Sequence, residues 1–200
     1  MPFGMVWDYY PKLQECVMAT NWNQPPAAIV TDLLADKNTK FSSTASSFAF
    51  KNVGPNTQAN ATSKNTQITV YPTDTTKYSG EVIATYRRVE FPAFMNKKTG
   101  SPTPTVSWGQ QTGQTLVAAS TTKAQLVSLI NTLFGLQLST TDYATLTATL
   151  DGGFVNIAIT FADANLVFVP SVSATLRLDQ TTPTSAIITA PDLDGLDLPA

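Results

Sequence analysis

The 200-residue chain contains no histidine. That removes the side chain best suited to acid–base work near neutral pH, every Ser-His-Asp or Cys-His arrangement, and most zinc sites. Cysteine is nearly absent as well. Cys16 stands alone, so no intrachain disulfide exists and the redox compartment is unreadable. Glu15 beside it works against a reactive thiolate. Charged residues make up 13% of the chain, against an ordinary share of about 25%. Glutamate is limited to Glu15, Glu81 and Glu90. The last two bracket an expected strand and lie roughly 30 Å apart along it, too far for a two-carboxylate glycosidase pair. No glycine-rich phosphate loop is present, because Gly152-Gly153 lacks the Lys and Ser/Thr that would follow.

Runs of like charge and of apolar residues are missing too. Net charge is −2, and the densest basic sites are the pairs Arg87-Arg88 and Lys97-Lys98. A nucleic-acid footprint needs a longer basic stripe to displace counterions. Paired cations of this kind read as solvated surface or as partners of carboxylates. No apolar run approaches the ~20 residues that span a bilayer. The opening Met1-Pro2-Phe3-Gly4-Met5 lacks the basic-then-apolar order of a signal peptide. The expectation is a soluble chain made in a cytoplasm, with no nucleic acid, membrane, cofactor or metal partner.

Threonine is the commonest residue, and hydroxyls stand where Lys and Glu usually keep a monomer soluble. Two explanations fit equally: a surface covered by neighbours, or the good fit of threonine to strands.

The strongest positive feature is internal repetition. Ile29, Val30, Leu33, Asn38, Phe41, Ser42 and Thr44 recur, at a spacing of about 97, as Leu126, Val127, Ile130, Gly135, Leu138, Ser139 and Thr141. Further on the spacing drops to about 90. Tyr78, Val82, Ala84, Thr85, Tyr86 and Arg87 meet Phe168, Val172, Ala174, Thr175, Leu176 and Arg177. One deletion in the second copy accounts for the change. Duplicating a small unit repeats packing while adding no reactive group.

The chain therefore divides into an N-terminal arm (1–24), a first αβ unit (25–91), a linker (92–120), a second αβ unit (121–180) and a C-terminal tail (181–200). The arm carries Trp7, Trp22, Tyr9 and Tyr10, with a short helix expected from Pro11 to Ala19. In the first unit, Pro25-Pro26 opens the unit, since proline suits a first helical turn; Ile29, Val30, Leu33 and Leu34 form one apolar stripe, and Asn38 reads as a left-handed terminator. Phe48/Phe50 and Ile68/Val70 mark two strands, and 78–89 a third that slips at Arg87-Arg88, as at a bulge or an edge. In the second unit Thr122-x-x-Gln125 has the form of a capping box, and Gly135 that of a stop. Three alternating strands follow, the first two joined at Asp151-Gly152-Gly153. Each unit reads helix, hairpin, further strand: an α+β fold in which one helix packs on a small antiparallel sheet. Thr99-Gly100-Ser101-Pro102-Thr103-Pro104 is loop by composition.

Three clusters merit weighing as sites. Asp192, Asp194 and Asp197 around Gly195 begin like a calcium loop but lack the closing bidentate glutamate, so they read as a tail. Asp142-Tyr143 after Ser139-Thr140-Thr141 reads as a turn held by local side-chain bonds. Tyr86, Arg87 and Arg88 fit a cross-strand pairing better than a sugar or phosphate contact. No catalytic, cofactor or metal residue is assigned.

The strings Asn65-Thr66-Gln67-Ile68-Thr69-Val70 and Tyr78-Ser79-Gly80-Glu81-Val82-Ile83-Ala84-Thr85-Tyr86-Arg87-Arg88-Val89 resemble a pattern in duplicated virion structural proteins of large tailed bacteriophages. The helix with Phe41-Ser42 or Leu138-Ser139, and the acidic Leu-Asp-Gly segment near the C-terminus, are similar too. The second copy departs from it, with Phe168-Val169-Pro170-Ser171 for the Tyr-x-Gly step and Leu176 for the tyrosine. The resemblance implies a non-enzymatic, homo-oligomeric neck, collar, tail or capsid-decoration subunit. Its partners would be copies of itself and other virion proteins. The alternative is a receptor- or glycan-binding module on a fibre or tip, using loop 54–65, segment 97–115 with Trp108, and the Tyr/Arg strand.

Overall fold

The computed structural model describes residues 20–60, 63–107 and 121–179. The expected helix at 11–19, Cys16, Trp108 and Asp192, Asp194 and Asp197 lie outside the described residues.

The first unit begins with helix α1 (Pro26–Lys37), whose proline sits in the first turn where its missing N–H costs nothing. A one-turn helix, α2 (Thr39–Ser42), and a 3-10 turn (Ala45–Ser47) lead into β1 (Phe48–Pro55). Strands β2 (Thr66–Pro72) and β3 (Val82–Tyr86) complete an antiparallel sheet of order β1-β2-β3. The β1–β2 register shifts between Lys51 and Gly54, around Asn52 at φ +53°, which makes a bulge.

The second unit repeats the order. Helix α4 (Lys123–Phe134) and a 3-10 turn (Thr140–Asp142) lead into strands β5 (Tyr143–Asp151), β6 (Phe154–Phe161) and β7 (Ala174–Asp179). Both main helices have 12 residues, and their starts lie 97 positions apart, the spacing read from the sequence. The β2–β3 and β6–β7 pairings also correspond: Ala84 faces Ile68, and Ala174 faces Ile159.

Local chemistry explains these boundaries. Thr122 Oγ1 accepts from the Gln125 N–H at 3.3 Å while the Thr122 N–H donates to Gln125 Oε1 at 2.8 Å, which satisfies two orphan donors. Gly135 closes α4 at φ +65°, a left-handed position costly for a residue with Cβ. Gly152 at φ +61° turns the β5–β6 hairpin, with Asp151 opposite Phe154.

Several expectations are corrected. Asn38 is not left-handed (φ −137°); its Nδ2 instead donates to the Leu34 carbonyl at 2.9 Å. The third strand of the first unit is Val82–Tyr86 rather than 78–89. The 92–120 span is more than a connector. It supplies most of helix α3 (Phe91–Thr99) and the short strand β4 (Thr105–Ser107), which pairs parallel with β7 to give the order β4-β7-β6-β5. Residues 100–104 between them are loop, as composition requires.

The main core lies in the second unit. Val155, Ile157, Ile159 and Phe161 of β6 and Ala174, Leu176 and Leu178 of β7 point inward, as their period-2 alternation demands. Leu126, Val127, Leu129, Ile130 and Phe134 of α4 cover them. Phe91, Phe94 and Met95 of α3 join, at the i, i+3, i+4 spacing of one helical face. Aromatic rings concentrate around Phe168, whose centroid lies 4.7–5.9 Å from those of Phe161, Phe91, Phe94 and Trp22. Ile29 of α1 is part of the same cluster. The first helix thus contributes to the second unit as well as flanking its own sheet.

Candidate interaction surface

Two features distinguish the junction and the first unit. The first is Arg88, immediately beyond β3. The sequence suggested a solvated cation or a partner of a carboxylate, yet Arg88 is 5% exposed and bonds to uncharged oxygens. Its Nε donates to Thr66 Oγ1 at 2.9 Å, and Nη1 donates to the carbonyls of Asn165 at 2.9 Å and Asp163 at 3.1 Å. Asn65 holds the Arg88 backbone from the other side, with Oδ1 accepting its N–H at 2.7 Å and Nδ2 donating to its carbonyl at 2.9 Å. Tyr86 adds a hydrogen bond from its hydroxyl to the Leu166 carbonyl at 2.7 Å. Val89 and Phe168 form a parallel bridge, with Val89 N–H to Val167 O at 2.9 Å. The end of β3 is therefore stitched to the 163–168 loop of the second unit.

Burial governs the electrostatics here. Loss of hydration lowers the Arg88 pKa, opposed by the nearby Tyr86 and Asp163. Burial raises the Tyr86 phenol well above its usual value, and Arg88 opposes that shift. Tyr143 at the start of β5 is raised by burial and then by Asp142, and its hydroxyl has no partner among the described residues.

The second feature is a groove of about 700 Å³ over the first sheet. Leu34 of α1 and Phe41 of α2 wall one side, and Phe48, Val70, Val82 and Ala84 form the floor, closed at one end by Tyr78. Among the described residues Lys40 is the only charged one in the lining. Phe48 lies between Phe41 and Tyr78, with ring centroids 5.4 and 5.1 Å away. Val82 is 67% exposed, and Ile83 on the opposite face of the strand 55%. The matching face of the second unit is a filled core. Phe161, Phe168 and Leu176 are buried there, where the first unit offers the half-buried Val70, Tyr78 and Tyr86.

Two other depressions differ in chemistry. A cavity of about 670 Å³ beside the junction is lined by Asn65, Thr66, Arg88, Asp163 and Ser171 among others. A shallow one of about 510 Å³ on α4 presents hydroxyls and amides without charge.

The clusters weighed from sequence separate in space. Tyr86 and Arg88 turn inward to the junction while Arg87 remains exposed, so the three do not present one surface. Glu81 pairs with Lys51 at the sheet surface, and Glu90 lies at the start of α3, its carbonyl accepting from Phe94. Ser139 and Asp142 form a capping turn, as their spacing implied. Among the described residues no group of three His, Cys, Asp or Glu side chains could hold a metal ion. No helix among them is long and apolar enough to cross a membrane. Sequence reasoning missed the groove and Arg88. The mixed pattern of 78–89 was the available sign of both, since an apolar strand face next to a buried cation breaks simple alternation.

Fold and surface together define a duplicated α+β protein with one closed unit and one open unit. The chain belongs to DUF7941, a family of unknown function, which it matches over residues 19–200. No curated protein and no solved structure matches it.

Proposed function

We propose that this protein is a non-enzymatic structural subunit of a tailed-bacteriophage virion, assembling with copies of itself in a neck, collar, tail or decoration structure. One observation carries the reading: the groove on the first sheet, an apolar face whose counterparts Phe161, Phe168 and Ala174 are buried in its duplicate. Left open, such a face is an aggregation liability, whereas in an assembly it is a contact. The low charge, the aromatic 1–24 arm and the leucine-bearing 181–200 tail support it. So does the absence of histidine, which leaves little acid–base chemistry to draw on. Size-exclusion chromatography with light scattering tests it directly. The purified chain is expected to be oligomeric, and deletion of 1–19 or 181–200 to abolish assembly while preserving the far-UV spectrum. A monodisperse monomer at every concentration removes the proposal.

A second reading, a glycan- or receptor-binding module, is favoured by the cavity beside Arg88, which sets Asn65, Thr66 and Asp163 among Val53, Pro55, Val169 and Pro170 and whose size suits a small ligand. A glycan array on the intact chain, repeated with Asp163→Ala, distinguishes it. A blank array eliminates this alternative.

A further inference from the structure

The joint between the two units runs in one direction. After β3, the segment 87–107 leaves the first unit and is spent on the second. Arg88 and Val89 lock to 163–168, α3 inserts Phe91, Phe94 and Met95 into the core, and β4 adds a parallel strand to the outer edge of β7. Two units related by a closed exchange would return the favour, with β7 and its continuation locking to the corresponding 73–78 stretch. Among the described residues no hydrogen bond joins 174–178 to 73–78. The outer edge of β3, which corresponds to the edge of β7 that carries β4, has no neighbouring strand among the described residues. The groove beside it corresponds to the face that α3 and α4 fill.

We infer that residues 180–200 of a second copy of this chain fill this groove and pair along the edge of β3, so that copies join head to tail. This rests on the assembly reading above and names the segment and the surface. The segment follows β7 as 87–107 follows β3. It carries Ile187, Ile188, Leu193, Leu196 and Leu198 for an apolar floor. Its charges are Asp192, Asp194 and Asp197, opposite in sign to Lys40, the one charge among the described lining residues. Pairing by an added strand supplies affinity through the backbone, with alternate side chains entering the groove. Because donor and acceptor surfaces differ, the contact is heterologous, and repeated copies close as a ring or extend as a filament. Within the chain, the first unit's exit segment completes the second unit. Between chains, the second unit's exit segment completes the next first unit.

The test uses the full chain with Cys16→Ser, so that introduced thiols are the only ones present. One preparation carries Val82→Cys, and another, distinguishable by mass, carries Leu193→Cys. After mixing and treatment with a short bis-maleimide, the expected product joins one chain of each kind. Deletion of 180–200 and, separately, Val82→Asp are expected to weaken self-association at least 100-fold with the thermal melt of the monomer unchanged. A doubly substituted chain that crosslinks only to itself overturns the inference. So do absence of any crosslink, and loss of assembly on deleting 1–19 but not 180–200. If the parent chain is oligomeric and both variants assemble normally, only this inference fails. If the parent chain is a monomer throughout, the assembly reading fails with it.

Discussion

Phe168 and Tyr78 occupy corresponding places in the two units, and replacing each by alanine measures how differently the units are packed. Phe168 is 0% exposed, and its ring meets Phe161 at 4.7 Å, Phe91 at 5.0 Å and Phe94 at 5.5 Å between centroids. Removing a ring from such a site loses its transfer free energy and leaves a cavity that four rigid aromatic neighbours cannot collapse into. Phe→Ala changes of this kind cost about 3–5 kcal/mol. For a chain of this size each kcal/mol lowers Tm by roughly 2–4 °C, so a fall of about 10 °C is expected. Tyr78 is half-buried, meets the Phe48 ring in a tilted contact at 5.1 Å between centroids, and borders an open groove. Its replacement leaves no enclosed void, and a cost of about 1 kcal/mol is expected, near the worth of one aromatic pair. Urea denaturation followed by tryptophan fluorescence reads both, with midpoints compared at constant slope. Equal costs at the two positions, or a Phe168→Ala penalty below about 1.5 kcal/mol, would refute the claim that the duplicated fold is closed in one unit and open in the other.

Three further outcomes follow from particular atoms. Tyr143→Phe removes a buried hydroxyl that has no partner among the described residues, and should raise stability by about 1 kcal/mol in the same urea assay; a loss of stability contradicts that account. Arg88→Lys keeps the charge but gives up the planar fork that reaches Thr66, Asp163 and Asn165 together, and is expected to cost about 2 kcal/mol; a neutral result would show that the junction does not depend on it. Burial raises the folded pKa of both Tyr86 and Tyr143 above the unfolded value near 10. Their neutral forms therefore contribute stability that is complete below about pH 10 and is lost as pH rises towards the folded values. Absorbance at 295 nm should show these two phenols ionising only as the chain unfolds, whereas ionisation on the folded chain near pH 10 would be inconsistent with their burial.

The secondary structure of the second unit was legible because every local signal there agreed. The capping box at Thr122, the stop at Gly135, the turn at Gly152 and the alternation of β6 each act over a few residues, and each occurs where its chemistry requires. The repeat was legible too, since α1 and α4 match in length and spacing. Helix α3 was readable in principle from Phe91, Pro92, Phe94 and Met95, but the following Pro, Gly and Thr masked a nine-residue helix within a span that reads as connector.

The candidate surface was hardly legible at all. Sequence by itself set the period, caps and turns of each element, because these depend on φ, ψ and neighbours three or four residues away. It also set the chemical inventory, in which histidine has no place. Only the tertiary structure decided that Arg88 is buried, because its acceptors come from residues 66, 163 and 165, on separate segments of the chain. Only the tertiary structure decided which duplicate closes. Two similar helix-and-sheet patterns predict the same core, but a single α3 exists between them, and its three large apolar side chains fill one unit and leave the other's face open.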